Sequence, residues 1–371
     1  MNKTLPDDER WMQRAIELAR LSEGHTRPNP PVGAVVIKEG RIIGEGHHQR
    51  AGEDHAEVVA LKACVESAQD ATLYVTLEPC STYGRTPPCT ERIIEAGIKR
   101  VVIGCEDCFR DHCGAGYRIL KQNKIEVLSG VGADQAHELA APFFKHTADG
   151  MPYLTLKLGM TMDGCIADRH NCSQWITGEQ SRAEVQQLRR RADVILVGSR
   201  TVCADDPSLL CRLPNADNQM RAVIDSQGVI PASAQILTDS AAERTLVFTS
   251  TEIDNSITAA WSCNGARVIR LQASKGGHLA LVDVLRELGA MDLMHVVCEG
   301  GGELAGALRT ARLIDEYVLF YAPAILGDVL AKRGFSSNGV LLLKDMPRMK
   351  IKDICVFGDD LRVRMLAENK S

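Results

Sequence analysis

The stretch ATLYVTLEPCSTYGRTPPCTERIIEAG, residues 71–97, reads as a β-strand, a proline-rich loop and an α-helix stopped by Gly97. Cys80 ends the strand side and Cys89 opens the helix, each directly after a proline, with eight residues between them. A helix N-terminus favours a thiolate, and proline suits the first turn. Three readings compete: metal ligands, a disulfide, or two unremarkable members of a set of thirteen cysteines. Spacing alone does not choose between them.

The same alternation of strand and helix continues on both sides. WMQRAIELAR (11–20) repeats apolar residues at helical spacing, and VGAVVIKEGRIIGEG (32–46) predicts a hairpin turning at Lys38-Glu39-Gly40. HAEVVALKACVESA (55–68) predicts a helix, KRVVIGCED (99–107) a strand, GYRILKQNK (116–124) a helix and IEVLSG (125–130) a strand. After the helix DQAHELAAPFFKHTADG (134–150) a second alternation begins at Tyr153. It holds YLTLKLGMT, EQSRAEVQQLRRR, DVILVGS, MRAVIDS, RTLVFTS, ARVIRLQ, HLALVDVLREL, LMHVVCEG and GELAGALRTARL, and closes with the strands EYVLFYAPAIL and KIKDICVF. The prediction is α/β throughout, in two domains, residues 1–147 and 148–371, each a sheet with helices packed on it. A length of 371 residues agrees with about two domains.

With 45% hydrophobic and 25% charged residues the composition is that of a soluble globular protein. A net charge of -5 gives no electrostatic footprint for nucleic acid, and the basic run Arg189–Arg191 falls within a helical pattern. The first twenty residues are charged and amphipathic, without a signal-peptide core, and no stretch approaches ~18 consecutive apolar residues. A reducing cytoplasm is expected, and no membrane. In that compartment metal binding or catalysis is the commoner use of cysteine than a disulfide.

His55-Ala56-Glu57 opens the helix after the hairpin. One histidine and two cysteines leave the fourth tetrahedral zinc position for water, and a glutamate two residues from a ligand can reach that water as proton shuttle. His-x-Glu with Pro-Cys is the signature of zinc-dependent nucleobase deaminases, although that pattern has Cys-x-x-Cys. HAEVVAL followed by YVTLEPCSTYGRTPPC is similar to the deaminase half of the bifunctional deaminase/reductases of riboflavin biosynthesis, whose mark is this longer cysteine spacing. TRPNPPVGAVVIKEG (26–40) resembles the family's preceding segment. The resemblance implies a cytidine-deaminase-like αβα domain with Zn²⁺ on His55, Cys80 and Cys89, and Glu57 as proton carrier. It puts Asn29 on the pyrimidine ring and Arg85 on the substrate phosphate. Thr82 departs from the family's histidine, and Asp107-Cys108-Phe109-Arg110 from its Asp-Pro-Asn-Pro. Cys105, Cys108, His112 and Cys113 have the composition of a second metal site, but read better as a cysteine-rich loop in a reducing compartment.

In the second half, Glu299-Gly300-Gly301-Gly302-Glu303 follows a strand and opens a helix, where backbone N–H groups can cradle a phosphate. It is not GxGxxG, and a tight packing turn is the competing reading. LKLGMTMDG (156–164), SQWIT (173–177), GSRTVCADDPSL (198–209) and AVIDSQ (222–227) occur in the order of the family's reductase domain. The resemblance implies a dihydrofolate-reductase-like α/β fold that uses NADPH. Cofactor positions map to Gly159, Trp175, Thr201, Asp205, Ser226 and the turn Gly301, Gly302, Glu303, Leu304, Ala305, Gly306, Ala307. Substrate positions map to Ser173, Arg189, Leu209, Arg212 and Glu299, the two arginines being suited to a ribose phosphate. Cys165 and Asn171-Cys172 depart from the family pattern.

The expected activity is deamination of 2,5-diamino-6-(5-phosphoribosylamino)pyrimidin-4-one, then NADPH-dependent reduction of the ribosyl group to ribityl. A homo-oligomer is implied as well. The alternatives are a paralogue with one half impaired and a nucleic-acid base deaminase. Glu57 beside every zinc ligand argues against the first, and the acidic net charge against the second.

Overall fold

The computed structural model describes residues 7–83, 87–107, 114–214, 216, 219–336 and 342–367. The chain forms two compact units, Met1–Met151 and Pro152–Ser371. The expected boundary at 147/148 falls in the last turn of a helix that runs to Asp149 and stops at Gly150, whose φ of 71° is left-handed.

The first unit contains α1 (Asp8–Arg20), β1 (Gly33–Lys38), β2 (Arg41–His47), α2 (Ala56–Lys62) and β3 (Thr72–Leu77). It continues with α3 (Cys89–Glu95), β4 (Arg100–Cys105), α4 (Ala115–Gln122), β5 (Glu126–Ser129) and α5 (Ala133–Asp149). The sheet order is β2-β1-β3-β4-β5. β1 is antiparallel to both neighbours, while β3, β4 and β5 are parallel. The hairpin turns on two residues, Glu39 and Gly40, both left-handed, so Lys38 stays in β1 paired with Arg41. α1 buries Trp11, Met12, Ala15, Ile16 and Ala19 against the sheet. Contact is so close that a Cβ on Gly33 would lie 2.0 Å from the Ala15 carbonyl oxygen. Asp8 ties this helix down, accepting from Tyr74 Oη at 2.8 Å and from both Arg100 Nη atoms at 2.7 and 2.9 Å. α2 ends at Lys62, short of the predicted 55–68, because the chain turns back and the Val65 N–H pairs with the Ile43 carbonyl.

The second unit contains β6 (Tyr153–Thr161), β7 (Cys165–Ala167), α6 (Glu179–Arg191), β8 (Val194–Gly198), α7 (Ser199–Asp205) and β9 (Met220–Asp225). Then come α8 (Gln235–Thr238), β10 (Thr245–Ser250), α9 (Asn255–Ser262), β11 (Arg267–Leu271), α10 (Leu281–Gly289) and β12 (His295–Cys298). α11 (Gly302–Thr310), β13 (Glu316–Ala322), β14 (Lys332–Arg333), β15 (Met349–Phe357) and β16 (Asp360–Ala367) complete it. Among the described residues nine strands form one sheet, β11-β10-β9-β8-β12-β6-β13-β16-β15, parallel as far as β13 and antiparallel beyond.

Sequence reading ends the sheet at β15 and misses β16, which lies between β13 and β15. Its Arg362 and Arg364 look like surface residues. In the fold they are half-buried, Arg362 bonding Glu184 and Asp353, and Arg364 bonding Glu316 and Asp353.

Candidate active sites

β3 and β4 end at the same sheet edge, the edge at which parallel sheets carry their ligands. His55 is the N-cap of α2, Cys80 lies three residues beyond β3, and Cys89 is the first residue of α3. His55 Nδ1 is 3.5 Å from Cys80 Sγ and 3.2 Å from Cys89 Sγ, and all three donor atoms lie within 4.8 Å of one another. Among the described residues this is the one group of three or more His, Cys, Asp or Glu side chains so spaced. Metal–ligand lengths of about 2.0–2.3 Å put tetrahedral donors roughly 3.5–3.8 Å apart, so the set fits zinc with a fourth position for water.

The electrostatics agree with the donor chemistry. The hydrogen bond from the Cys89 thiol, resisted by burial and aided by His55, holds the Cys80 thiol down to about 4. Cys89 is pushed up in turn by its bond to Cys80 and by burial. The Cys89 N–H, at the start of α3, also donates to Cys80 Sγ at 3.2 Å. Glu57, in the first turn of α2, is only 3% exposed. Burial first, then the neighbouring Cys80, lift its carboxyl to about 7 against the pull of His55.

Two buried neighbours escape sequence reading. His48 donates through Nδ1 to the Asp54 carbonyl (3.1 Å), which leaves Nε2 to accept from Asn29 Nδ2 at 3.0 Å. Its ring stands edge-on to His55, 5.3 Å between centroids. Asn29 is thus linked through His48 to the side of the cluster. Glu78 accepts from the N–H groups of Asp107, Gly114 and Tyr117 at 3.2, 3.0 and 3.1 Å, tying the chain after β4 to the strand end that carries Cys80. Arg85, Cys108, Phe109, His112 and Cys113 lie outside the described residues. Cys105 is buried at the end of β4, where its thiol donates to the Thr76 carbonyl.

In the second unit, Glu299 follows β12 directly and is buried. Arg189 of α6 donates to it through Nε at 2.6 Å and Nη2 at 3.1 Å, and through Nη1 to the Leu210 carbonyl at 3.0 Å. Arg189 therefore has a carboxylate partner where sequence reading placed a phosphate. Lys157 of β6, which sequence reading missed, is 3.6 Å from Glu299 Oε2, an oxygen it shares with Arg189. Leu209 is buried in a left-handed conformation, and Arg212 is exposed with its N–H held by Gln186. Ser173 Oγ donates to Asp205 at 3.0 Å, joining a substrate position to a cofactor position. Trp175 is 66% exposed, with the Arg182 guanidinium 4.6 Å from its ring centroid. Ser226 Oγ accepts from the Leu279 N–H.

The glycines of the 300–306 turn divide by surroundings. A Cβ on Gly301 would meet only Thr201 Oγ1, at 3.6 Å, so this position is open to a ligand. A Cβ on Gly302 would lie 2.0 Å from the Arg333 carbonyl oxygen, and one on Gly306 2.2 Å from that of Ser336. These two glycines accommodate chain. Leu304 packs its side chain on Gly300, Ala305 is buried, Ala307 is exposed, and Glu303 pairs with Arg200 at the surface. Gly159 faces Thr177. The N–H groups at the start of α11, without partners among the described residues, and the open cradle at Gly301 fit a phosphate-bearing cofactor.

Comparison with known proteins assigns both halves. Residues 5–105 match the cytidine and deoxycytidylate deaminase zinc-binding region, and residues 152–363 match the RibD C-terminal domain. The chain is a zinc-binding deaminase joined to a reductase. It is 40% identical over 363 residues to riboflavin biosynthesis protein RibD of Bacillus amyloliquefaciens, covering 98% of this chain and 97% of that one. Against the Escherichia coli K12 protein of the same name the identity is also 40%, over 97% and 99% of the two chains. The Acinetobacter baumannii RibD structure (form 1) superposes with a TM-score of 0.85 at 36% identity, covering 99% of this chain and all of that one. A Thermotoga maritima diaminohydroxyphosphoribosylaminopyrimidine deaminase/5-amino-6-(5-phosphoribosylamino)uracil reductase gives 0.84 at 34% identity, over 97% and 98% of the two chains. The chain belongs to the RibD family, the bifunctional deaminase/reductases of riboflavin biosynthesis.

Proposed function

We propose that the first unit deaminates the diaminopyrimidine ribotide on a zinc ion held by His55, Cys80 and Cys89, and that the second reduces the product's ribosyl group with NADPH. The observation that carries this reading is the convergence of three donor atoms within 4.8 Å beside the buried Glu57. When bound, zinc activates water as the nucleophile. Glu57 moves one proton of that water to the ring nitrogen and then the second to the departing amino group, which leaves as ammonia, and Asn29, oriented by His48, holds the ring. In the second unit NADPH, when bound, supplies hydride. The Gly301 turn holds cofactor phosphate, Arg212 holds substrate phosphate, and Arg189 with Lys157 keeps Glu299 ionised toward the substrate.

A two-step assay tests both halves, following ammonia release and NADPH oxidation separately after addition of the ribotide. Ammonia without NADPH loss would leave only the first half standing. Cys89→Ala should lower zinc from about one ion per chain to near zero and abolish ammonia release, while reduction of pre-deaminated substrate persists. Metal analysis beside the two assays decides it. Full zinc retention in that variant would remove Cys89 from the ligand set.

We further infer a cytoplasmic enzyme that self-associates. Among the described residues no helix is long and apolar enough to cross a membrane. The edge strand β15 leaves Ile351, Ile354 and Val356 56%, 55% and 69% exposed, paired with Met365, Val363 and Leu361 of β16. An apolar sheet edge of this kind needs cover. Ile354→Lys with Val356→Lys should shift sedimentation to the monomer and leave ammonia release unchanged. An unchanged sedimentation coefficient would place any interface elsewhere.

A further inference from the structure

Asp163, in the turn between β6 and β7, has no part in either reaction as assigned above, yet it is among the most heavily bonded carboxylates of the second unit. It accepts from Thr161 Oγ1 at 2.6 Å, from the Leu326 N–H at 3.1 Å and from the Gly327 N–H at 2.9 Å. Its main-chain oxygen accepts from the Arg333 guanidinium. Three points on one segment, 323–336, are therefore fastened to a single residue. The segment has further attachments to that turn, to β7 and to the residues that follow it. β14 pairs with β7, the Gly334 N–H donates to the Gly164 oxygen at 3.0 Å, and Arg169 grips Asp328 through two bonds of 2.8 and 2.9 Å.

The far end of this segment reaches α11. The Ser336 N–H donates to the Gly302 oxygen at 2.9 Å, and the Arg333 and Ser336 carbonyls occupy the space that side chains on Gly302 and Gly306 would need. The segment thus connects the β6–β7 turn to the first two turns of α11. Moving it would move the helix start, because its main-chain carbonyls lie directly against the helix glycines.

We propose that 323–336 is a strap that fixes the start of α11 for NADPH, with Asp163 as the positioning residue that anchors it. The inference rests on the reading that the turn at Gly301 holds the cofactor. A carboxylate bonded to two backbone N–H groups holds them more strongly than a neutral amide, and an asparagine would turn its NH₂ toward one of them. With Asp163 neutralised, the exposed Arg169–Asp328 pair is a weak substitute.

The test is a titration of the full-length protein with NADPH in the absence of substrate, read by calorimetry, together with amide exchange at residues 302–306. Asp163→Asn should weaken NADPH binding about tenfold and speed exchange at the start of α11. Zinc content, ammonia release and the unfolding midpoint of the first unit should stay at wild-type values. Arg169→Ala, which loosens the strap from its solvent side, should weaken NADPH binding about twofold, in keeping with an exposed pair. This second variant keeps the test decisive if Asp163→Asn folds poorly. Gly301→Val tests the underlying reading separately, since its side chain enters open space and blocks only the cradle. Loss of binding in Gly301→Val with wild-type affinity in Asp163→Asn would overturn the strap. Wild-type affinity in all three variants would overturn the cofactor reading, and the strap with it.

Discussion

Glu57→Gln should reduce ammonia release by roughly 10²–10⁴-fold, the usual contribution of a single acid–base group. Glutamine keeps the shape of a side chain that is almost wholly buried, so the fold and the three proposed metal ligands should survive. What it loses is the capacity to take up a proton and release it again. The substitution therefore separates chemistry from metal binding: zinc content should remain at about one ion per chain. Reduction of substrate that has already been deaminated should proceed at the wild-type rate, because Glu57 belongs to the other compact unit. Ammonia release at the wild-type rate would end its assignment as proton carrier. Loss of zinc would instead make it part of the ligand structure.

The second large effect is expected at Glu299. Burial alone would raise its carboxyl; Arg189 and Lys157 overcome that and hold it down to about 2. Removing the charge with Glu299→Gln leaves two cations against a neutral group. Breaking a buried ion pair from one side costs about 3–5 kcal/mol. Urea unfolding of the second unit should register that loss, and NADPH oxidation should fall with it. Replacing Arg189 by methionine in the same protein should recover part of the stability, since the stranded charge is then removed. The pH dependence has a definite sign. A carboxyl depressed in the folded state contributes its full stability above its unfolded value of about 4.3. That contribution drains away as pH falls toward about 2. The wild type should thus lose stability between these limits in a way that Glu299→Gln does not. Parallel slopes for the two proteins over that range would sink the ion-pair account.

Much of this architecture is legible in the chain. α6 coincides with EQSRAEVQQLRRR residue for residue, because its buried positions recur at helical spacing between a glycine N-cap and a strand. β16 is hidden because burial of Arg362 and Arg364 depends on acids brought from α6, β13 and β15. The proposed metal group is legible for the opposite reason: His55-Ala56-Glu57, Pro79-Cys80 and Pro88-Cys89 form an ordered motif, with His55 and Cys89 at helix starts. His48, Lys157 and Asp163 carry no such mark. Each is an ordinary residue in an ordinary pattern, and its meaning comes from a partner 19, 142 or 163 positions away. The pairing of Arg189 with Glu299, 110 positions apart, is of the same kind.

His55 caps α2 and Glu57 lies in its first turn. Each residue added to an α-helix turns the chain by about 100° and advances it about 1.5 Å. One residue inserted between the two would swing the carboxyl away from the cluster, and one deleted would swing it the other way. The distance from the proposed metal ligand to the proposed proton carrier is thus set by one extended cap residue and the first turn of a backbone helix. A change in the count of residues across that turn cannot be absorbed by any adjustment of side chains.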